Sequence, residues 1–244
     1  MKATWLSVAL LVAALIAYAA DASADAIDPT YSASWSDVHS AAGTDASDYD
    51  QTFGAPWNLA TSVAYAGRSA QAQTTVTATS IAFAGEWTTS GAQWATGNSF
   101  AYVDFTVSGL WNYSITGALT FEGGTGLDAF HVYLYDRTIG SYVFESYQQS
   151  YAVDGDLLFV GGLGGADENF LLGELSGALI DGHAYTAYFQ GGLSIGQYGT
   201  TDLTGAGWAT FSFAPVPEPA TLTLFALGAA GLAWRRRRTA RGAR

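Results

Sequence analysis

The sequence predicts an all-β protein built on an antiparallel, jelly-roll-like β-sandwich, with membrane-directed segments at both ends. Apolar and polar residues alternate with a period of two along most of the chain, which is the pattern of a half-buried strand. The chain has 29 glycines and is 14% aromatic, a composition that supplies both turns and pleated surfaces. No window between the two ends shows a 3.6-residue repeat, and we expect about nine short strands.

Residues 1–24 have the composition of a secretory signal peptide. Lys2 supplies a positive charge, residues 5–18 are apolar, and Ala22-Ser23-Ala24 forms a small-residue cleavage site. The apolar run is shorter than the ~20 residues that a membrane span needs. We therefore predict cleavage after Ala24 and export of the remaining chain.

Residues 25–214 are predicted to form the sandwich. Residues 27–60 have weak periodicity and are interpreted as a loose N-terminal arm or as edge strands. Strands are predicted at 74–83, 101–107, 113–121, 130–135, 142–147, 156–160, 170–176, 184–190 and 208–213. Turn-forming residues at 136–141 predict a hairpin between the strands on either side, and Asp181-Gly182 predicts another.

The composition of this region excludes several classes of function. The chain has no cysteine, so disulfides, thiol catalysis and thiolate zinc sites are ruled out. Between Asp25 and Pro219 there are twenty acidic residues and two basic ones, Arg68 and Arg137, which gives a formal charge of −18. A domain this acidic repels phosphate backbones, so we expect no nucleic-acid partner.

The C-terminus has three parts in a fixed order. Pro217-Glu218-Pro219 is held extended by its two prolines, and an apolar run follows at 220–234. The run ends at a cluster of four arginines that stay on the cytoplasmic side of a membrane: Arg235, Arg236, Arg237 and Arg238. As a helix the apolar run is roughly 22 Å long. It is therefore a short transmembrane helix for a hydrocarbon core of ~30 Å.

This order of parts resembles the PEP-CTERM sorting tail of Gram-negative bacteria, over residues 215–244. The resemblance implies that a membrane-embedded exosortase recognises Pro217, Glu218 and Pro219 and processes the protein there. It also implies an inner-membrane-anchored precursor that later reaches the cell surface or an extracellular matrix. The family's association with exopolysaccharide and biofilm makes extracellular polysaccharide a further expected partner.

No catalytic signature is found in the sandwich, and we expect a protein that is not an enzyme. The three histidines are far apart in sequence, and no serine lies in a nucleophile elbow. Asp154, Asp156 and Asp167 flank a glycine-rich loop and could converge on a calcium ion, but solvated acids in turns are the simpler explanation. Paired carboxylates of a glycosidase are a further alternative. No other cofactor is predicted.

Aromatic residues leave a binding role open. Trp87, Trp94, Trp111 and Tyr133 could form an exposed platform that stacks on sugar rings, while core packing is the alternative. The sequence therefore predicts an exported structural or adhesive surface protein. A carbohydrate- or calcium-binding module is the alternative.

Overall fold

The computed structural model describes most of the predicted sandwich. The described residues are 27–40, 43–54, 57–90, 95–122, 127–151, 155–158, 170–194 and 202–216, together with Gly228. The chain divides into two compact units, Met1–Ala214 and Pro215–Arg244. A helix with the length and apolar character needed to cross a membrane is not found among the described residues. The predicted signal peptide and most of the predicted sorting tail lie outside these residues.

Fourteen β-strands occur in the described part of the chain. They are β1 (Ile27–Ser40), β2 (Gly43–Thr52), β3 (Asn58–Tyr65), β4 (Arg68–Thr77), β5 (Ser80–Thr89), β6 (Thr96–Val107), β7 (Trp111–Glu122), β8 (Leu127–Asp136), β9 (Ser141–Tyr151), β10 (Gly155–Leu158), β11 (Phe170–Gly173), β12 (Ser176–Leu179), β13 (Ala184–Ser194) and β14 (Leu203–Pro215).

The strands form two sheets with their apolar faces against each other, which confirms the predicted antiparallel β-sandwich. Sheet A has the strand order β11-β9-β8-β13-β6-β1-β2. Sheet B has the order β10-β7-β14-β5-β4-β3, and β12 also pairs with β7. The predicted hairpin around residues 136–141 is confirmed, because β8 and β9 pair antiparallel from Asp136 and Ser141 onward.

The first strand corrects the interpretation of residues 27–60 as a loose arm. β1 is an interior strand, paired on one side with β6 and on the other with β2, while β2 and β3 are edge strands. Its alternation is hidden in the sequence because the inward side chains Ser32, Ser34 and Ser36 are polar. All three serines are nevertheless buried.

Two other strand predictions and one hairpin prediction were wrong in detail. The predicted strand at 74–83 contains a turn at 78–79 that separates β4 from β5. The predicted strand at 170–176 is divided at Gly173, whose φ of 76° ends β11 before β12 begins. The turn at Asp181-Gly182 is present, with Gly182 at φ 73°, but it joins β12 of sheet B to β13 of sheet A and so is not a hairpin.

Aromatic rings fill the interior between the two sheets. Phe189 of sheet A is the common contact: its ring centroid lies 6.0 Å from that of Phe83 and 6.4 Å from that of Trp87, both on sheet B. Phe130 meets Phe189 edge-on at 5.5 Å. All four side chains are at most 2% exposed. Burial of such large rings from both sheets is the main apolar stabilisation of the sandwich.

Trp87 occupies a slot that three glycines keep open. A Cβ added at Gly85 would come within 2.6 Å of the Trp87 ring, one at Gly207 within 3.0 Å, and one at Gly191 closer still. These glycines come from β5, β14 and β13, so the slot is built by both sheets. The indole Nε1 donates a hydrogen bond to Ser99 Oγ on β6 at 2.8 Å, which pairs the only polar atom of the ring.

Polar contacts join the sheets at the end formed by β1 to β4. Ser34 Oγ lies 2.9 Å from Thr74 Oγ1, in a buried hydroxyl pair that bridges β1 and β4. Arg68 on β4 is only 5% exposed, and its Nη1 donates hydrogen bonds to Asp45 Oδ2 and to the carbonyl of His39, each at 2.7 Å. A buried arginine needs such a partner, because an unpaired charge in the interior is costly.

The tryptophan slot predicts that Gly191→Ala is destabilising although alanine is compatible with an extended strand. The added methyl group overlaps the Trp87 ring, and overpacking of this kind costs about 1–3 kcal/mol in the free energy of unfolding. Urea unfolding of the exported protein measures the change. Gly54→Ala is the matched control, because nothing lies within 4 Å of a Cβ at Gly54. An equal change in the free energy of unfolding in the two variants would contradict this prediction.

The same slot predicts that Gly191→Ala and Trp87→Phe are not additive. The smaller ring leaves room for the methyl group, so the penalty of Gly191→Ala should shrink when Trp87 is already phenylalanine. Coupling between touching residues is commonly about 0.5–3 kcal/mol. A double-mutant cycle of unfolding free energies measures it, and a coupling energy of zero would show that the two residues do not compete for the same space.

Candidate functional site

The outer face of sheet A carries aromatic side chains in three rows that follow the strand register. From β9 to β2, the first row is Tyr147, His131, Gln190, Phe100, Trp35 and Tyr49. The second row is Glu145, Tyr133, Tyr188, Tyr102, Ala33 and Gln51. The third row is Tyr142, Tyr135, Thr186, Asp104 and Tyr31. We call these rows, together with Phe53, the aromatic face.

Strand periodicity places these residues outward. Along β8, Phe130, Val132 and Leu134 are buried between the sheets, so His131 and Tyr133 point to the other side. The same two-residue alternation operates on β6 and β13, whose inward residues are also buried. Aromatic residues therefore occur at both the inward-facing and the outward-facing positions of these strands, and only those at inward-facing positions belong to the core.

The rings of the aromatic face contact each other across neighbouring strands. Tyr133 and Tyr188 stack with ring centroids 4.5 Å apart and planes inclined by 9°. His131 meets both of these tyrosines, at 5.1 Å and 5.7 Å between centroids. Trp35 contacts Phe100 at 5.2 Å. Each contact of this type stabilises the pair by about 0.5–1.5 kcal/mol beyond area burial, so the face is pre-ordered.

Hydrogen bonds fix the polar edges of the same rings. The hydroxyl groups of Tyr31 and Tyr49 lie 2.9 Å apart, and both donate to Gln51 Oε1, at 2.8 Å and 2.6 Å. The hydroxyl of Tyr188 donates to Gln190 Oε1 at 2.8 Å. Each glutamine keeps its NH₂ group as a donor after accepting these bonds. The face thus combines fixed ring surfaces with amide and hydroxyl groups.

The two carboxylates in the three rows are paired and largely covered. Glu145 is bonded to His131 Nε2 at 2.9 Å, and its side chain is 9% exposed. Asp104 accepts hydrogen bonds from Arg137 Nη1 at 2.7 Å and from Thr186 Oγ1 at 2.5 Å, and its side chain is 18% exposed. The exposed part of the aromatic face is therefore ring, amide and hydroxyl rather than charge.

The environment of the face holds several of its tyrosines protonated. Burial raises the pKa of Tyr188 to about 12, and burial also raises the pKa of Tyr133. The Tyr31 hydroxyl, 2.9 Å from that of Tyr49, is the main cause that raises the pKa of Tyr49 to about 12. These hydroxyls stay neutral donors at any physiological pH.

Each of the three histidines lies beside a carboxylate. His131 is paired with Glu145, as described above. His183 Nδ1 donates a hydrogen bond to the buried Asp136 at 2.7 Å. His39 Nε2 lies 2.8 Å from Asp37 Oδ1. Asp136 also accepts the backbone N–H groups of the turn that follows it, which accounts for it as a structural residue. Within the described ranges, no group of three or more histidine, aspartate or glutamate side chains could hold a metal ion.

Most of the site residues predicted from sequence lie outside the described residues. These are Ala24, Asp154, Asp167, Pro217, Glu218, Pro219, Arg235, Arg236, Arg237 and Arg238. Asp156 lies on β10, paired with Thr120 of β7. The calcium site and the sorting residues therefore stay predictions at the level of side chains.

Two members of the aromatic platform proposed from sequence, Trp87 and Trp111, were wrong, and Tyr133 does lie on the aromatic face. Trp87 and Trp111 are 1% and 6% exposed and belong to the core, while Trp94 lies outside the described residues. Sequence reasoning missed the role of the other face members, above all Trp35 and Tyr49. The alternation along each strand could have identified them, because aromatic residues recur at the positions that face away from the core.

The raised pKa values of the tyrosines predict a loss of stability at high pH. A tyrosine that holds its proton more tightly when folded contributes stability that is complete below its ordinary pKa of 10.0. That contribution is lost as pH rises through the folded value of about 12 for Tyr188 and Tyr49. We expect the free energy of unfolding to fall between pH 10 and 12.

Absorbance at 295 nm, which follows tyrosinate, should show a late phase near pH 12 that becomes smaller in Tyr188→Phe. The matching urea titrations report the stability. Ionisation of every tyrosine in one step near pH 10 would contradict the prediction.

Comparison with known proteins gives one informative match. Residues 215–238 match the family model of the PEP-CTERM protein-sorting motif. No curated protein matches the chain. A chain of the structure of infectious bursal disease virus Gx strain is 12% identical with a TM-score of 0.18; the match covers 82% of this chain and 68% of that one. A chain of the Gt-strain structure is also 12% identical, with a TM-score of 0.17 and coverage of 87% and 74%.

Similarity this low between structures carries no argument, so the informative match is the one at the C-terminus. It includes Pro217-Glu218-Pro219, the apolar run and the arginine cluster up to Arg238. Such a motif marks an exported, membrane-anchored precursor of a Gram-negative bacterium that is sorted by an exosortase. The chain therefore carries a PEP-CTERM protein-sorting motif at residues 215–238.

Proposed function

We propose that this chain is a non-enzymatic structural or adhesive protein of the cell surface or extracellular matrix, where it works among exopolysaccharide in a biofilm. The observation that carries the proposal is the PEP-CTERM motif at residues 215–238. Export begins with the signal peptide, which is cut after Ala24. The exosortase then processes the tail at Pro217-Glu218-Pro219, and the sandwich remains outside the cell.

The properties of the sandwich support an extracellular structural role. It has no cysteine, so its stability does not depend on the redox state of its surroundings. Its core of interlocked aromatic rings and its inter-sheet hydrogen bonds supply the rigidity instead. No cofactor is needed for this role. The alternative of calcium binding at Asp154, Asp156 and Asp167 stays a prediction from the sequence.

Processing of the tail also fits the chemistry of its parts. The prolines fix φ and remove backbone donors, so the segment stays extended and accessible to an enzyme at the membrane surface. A short apolar helix of roughly 22 Å is a marginal anchor in a ~30 Å hydrocarbon core. The four arginines hold it in one orientation until it is cut.

The proposal predicts the two ends of the mature protein. In a host that contains the exosortase, intact-mass measurement of the surface or released protein should give an N-terminus at Asp25 and a new C-terminus near Pro217. Glu218→Ala should keep the tail, because it removes the only charged side chain of the recognition motif. The measured mass of this variant should then correspond to a chain that ends at Arg244.

Pro215→Ala is the control for this experiment, because it changes a proline just before the motif and leaves Pro217-Glu218-Pro219 intact. It should be processed like the unmodified chain. A wild-type protein that ends at Arg244 would contradict processing. Equal processing of the Glu218→Ala and Pro215→Ala variants would contradict the assigned recognition residues.

A further inference from the structure

We infer that the aromatic face of sheet A is a binding site for an uncharged polysaccharide. The inference rests on the proposed function, because the face meets extracellular glycans only after export. It assigns the site to the three rows of residues on the outer side of β9, β8, β13, β6, β1 and β2. It also assigns the ligand class: a neutral glycan chain rather than an acidic one.

The first argument is the difference between the two outer faces. Apart from Trp208, neighbouring outward residues on the central strands of sheet B are small or polar, as in the sets Gln73, Ala84 and Thr75, Ala82, Thr210. The corresponding positions of sheet A carry rings on every strand from β9 to β2. Core packing does not explain this difference, because the core is already formed by the inward-facing residues of both sheets.

The second argument is exposure. Trp35 and Tyr49 are 37% and 49% exposed and contact each other, with ring centroids 5.8 Å apart. Phe53 is 74% exposed and contacts Tyr31 at 4.6 Å, and at the other end of the rows Tyr142 is 45% exposed and contacts Tyr133 at 5.4 Å. Contiguous exposed apolar surface on a monomeric protein marks an interaction site. The rows cross six strands at ~4.8 Å each, so they extend over roughly 24 Å, enough for several sugar rings in line.

The third argument is chemical fit to sugar rings. A pyranose has C–H faces that pack on aromatic rings, and it has hydroxyl groups around its edge. The face supplies flat rings together with the amides of Gln51 and Gln190 and the hydroxyls of Tyr31 and Tyr49, all held by internal hydrogen bonds. Such pre-ordering reduces the entropy lost on binding.

The fourth argument is charge, and it selects the ligand class. The formal charge of −18 over residues 25–219 repels polyuronates and other anionic glycans. Within the three rows, however, Asp104 is neutralised by Arg137, and Glu145 is covered and bonded to His131. The face is thus the locally uncharged surface of a strongly acidic domain. The same charge opposes pairing of this face with a second copy of the chain.

The test is a binding assay with the full-length protein in mild detergent and with the form released from cells. The probes are insoluble cellulose, β-1,3-glucan and starch as neutral glycans, and alginate as the anionic comparison. We expect retention on at least one neutral glycan and none on alginate. Trp35→Ala and Tyr49→Ala should each weaken binding by about tenfold, which is the upper range for loss of one aromatic contact.

Trp208→Ala is the matched control, because Trp208 is 45% exposed on the outer face of sheet B. It should bind like the unmodified protein. The inference would be overturned by no binding to any of the three neutral glycans, by preferred binding to alginate, or by equal losses in Trp35→Ala and Trp208→Ala. It would also be overturned if sedimentation showed a dimer that dissociates in Trp35→Ala and the protein bound no glycan. Normal tail processing in the same samples would leave the proposed function standing.

Discussion

The packing of Trp87 is the constraint on which the sandwich depends. Its ring lies between the two sheets, where there is room for it only because three neighbouring residues have no side chain. These residues are Gly85, Gly191 and Gly207, on three different strands. The hydrogen bond from its Nε1 to Ser99 fixes the ring in one orientation. One side chain is thus in contact with β5, β6, β13 and β14 together, and it links sheet B to the two strands at the centre of sheet A.

Regular alternation in the sequence was enough to predict the sandwich, the β8–β9 hairpin and most strands. It failed where the inward residues are polar: β1 buries serines that pair with threonines of the other sheet, and no local pattern announces such pairing. It also could not decide which aromatic residues are exposed. Trp87 and Trp35 are the same residue type, and only the assembled register shows that one faces the core and the other the solvent.

The distribution of charge explains how so acidic a domain can have an uncharged surface. Only two basic residues occur between Asp25 and Pro219, and each is committed to one carboxylate. Arg68 joins Asp45 where the sheets meet, and Arg137 joins Asp104 on the outer side of sheet A. The acids that remain without a basic partner keep the domain soluble through mutual repulsion with other copies. Recognition and solubility are thus assigned to different parts of one surface.

The position of β14 has a mechanical consequence. It is the last strand before the sorting motif, and it lies inside sheet B with β7 on one side and β5 on the other. Its ladder with β5 runs from Leu203 to Ser212. While the precursor is anchored, any pull along the chain from the membrane enters the domain through this strand. Such a pull acts on two hydrogen-bonded ladders, whereas an edge strand would be held by only one.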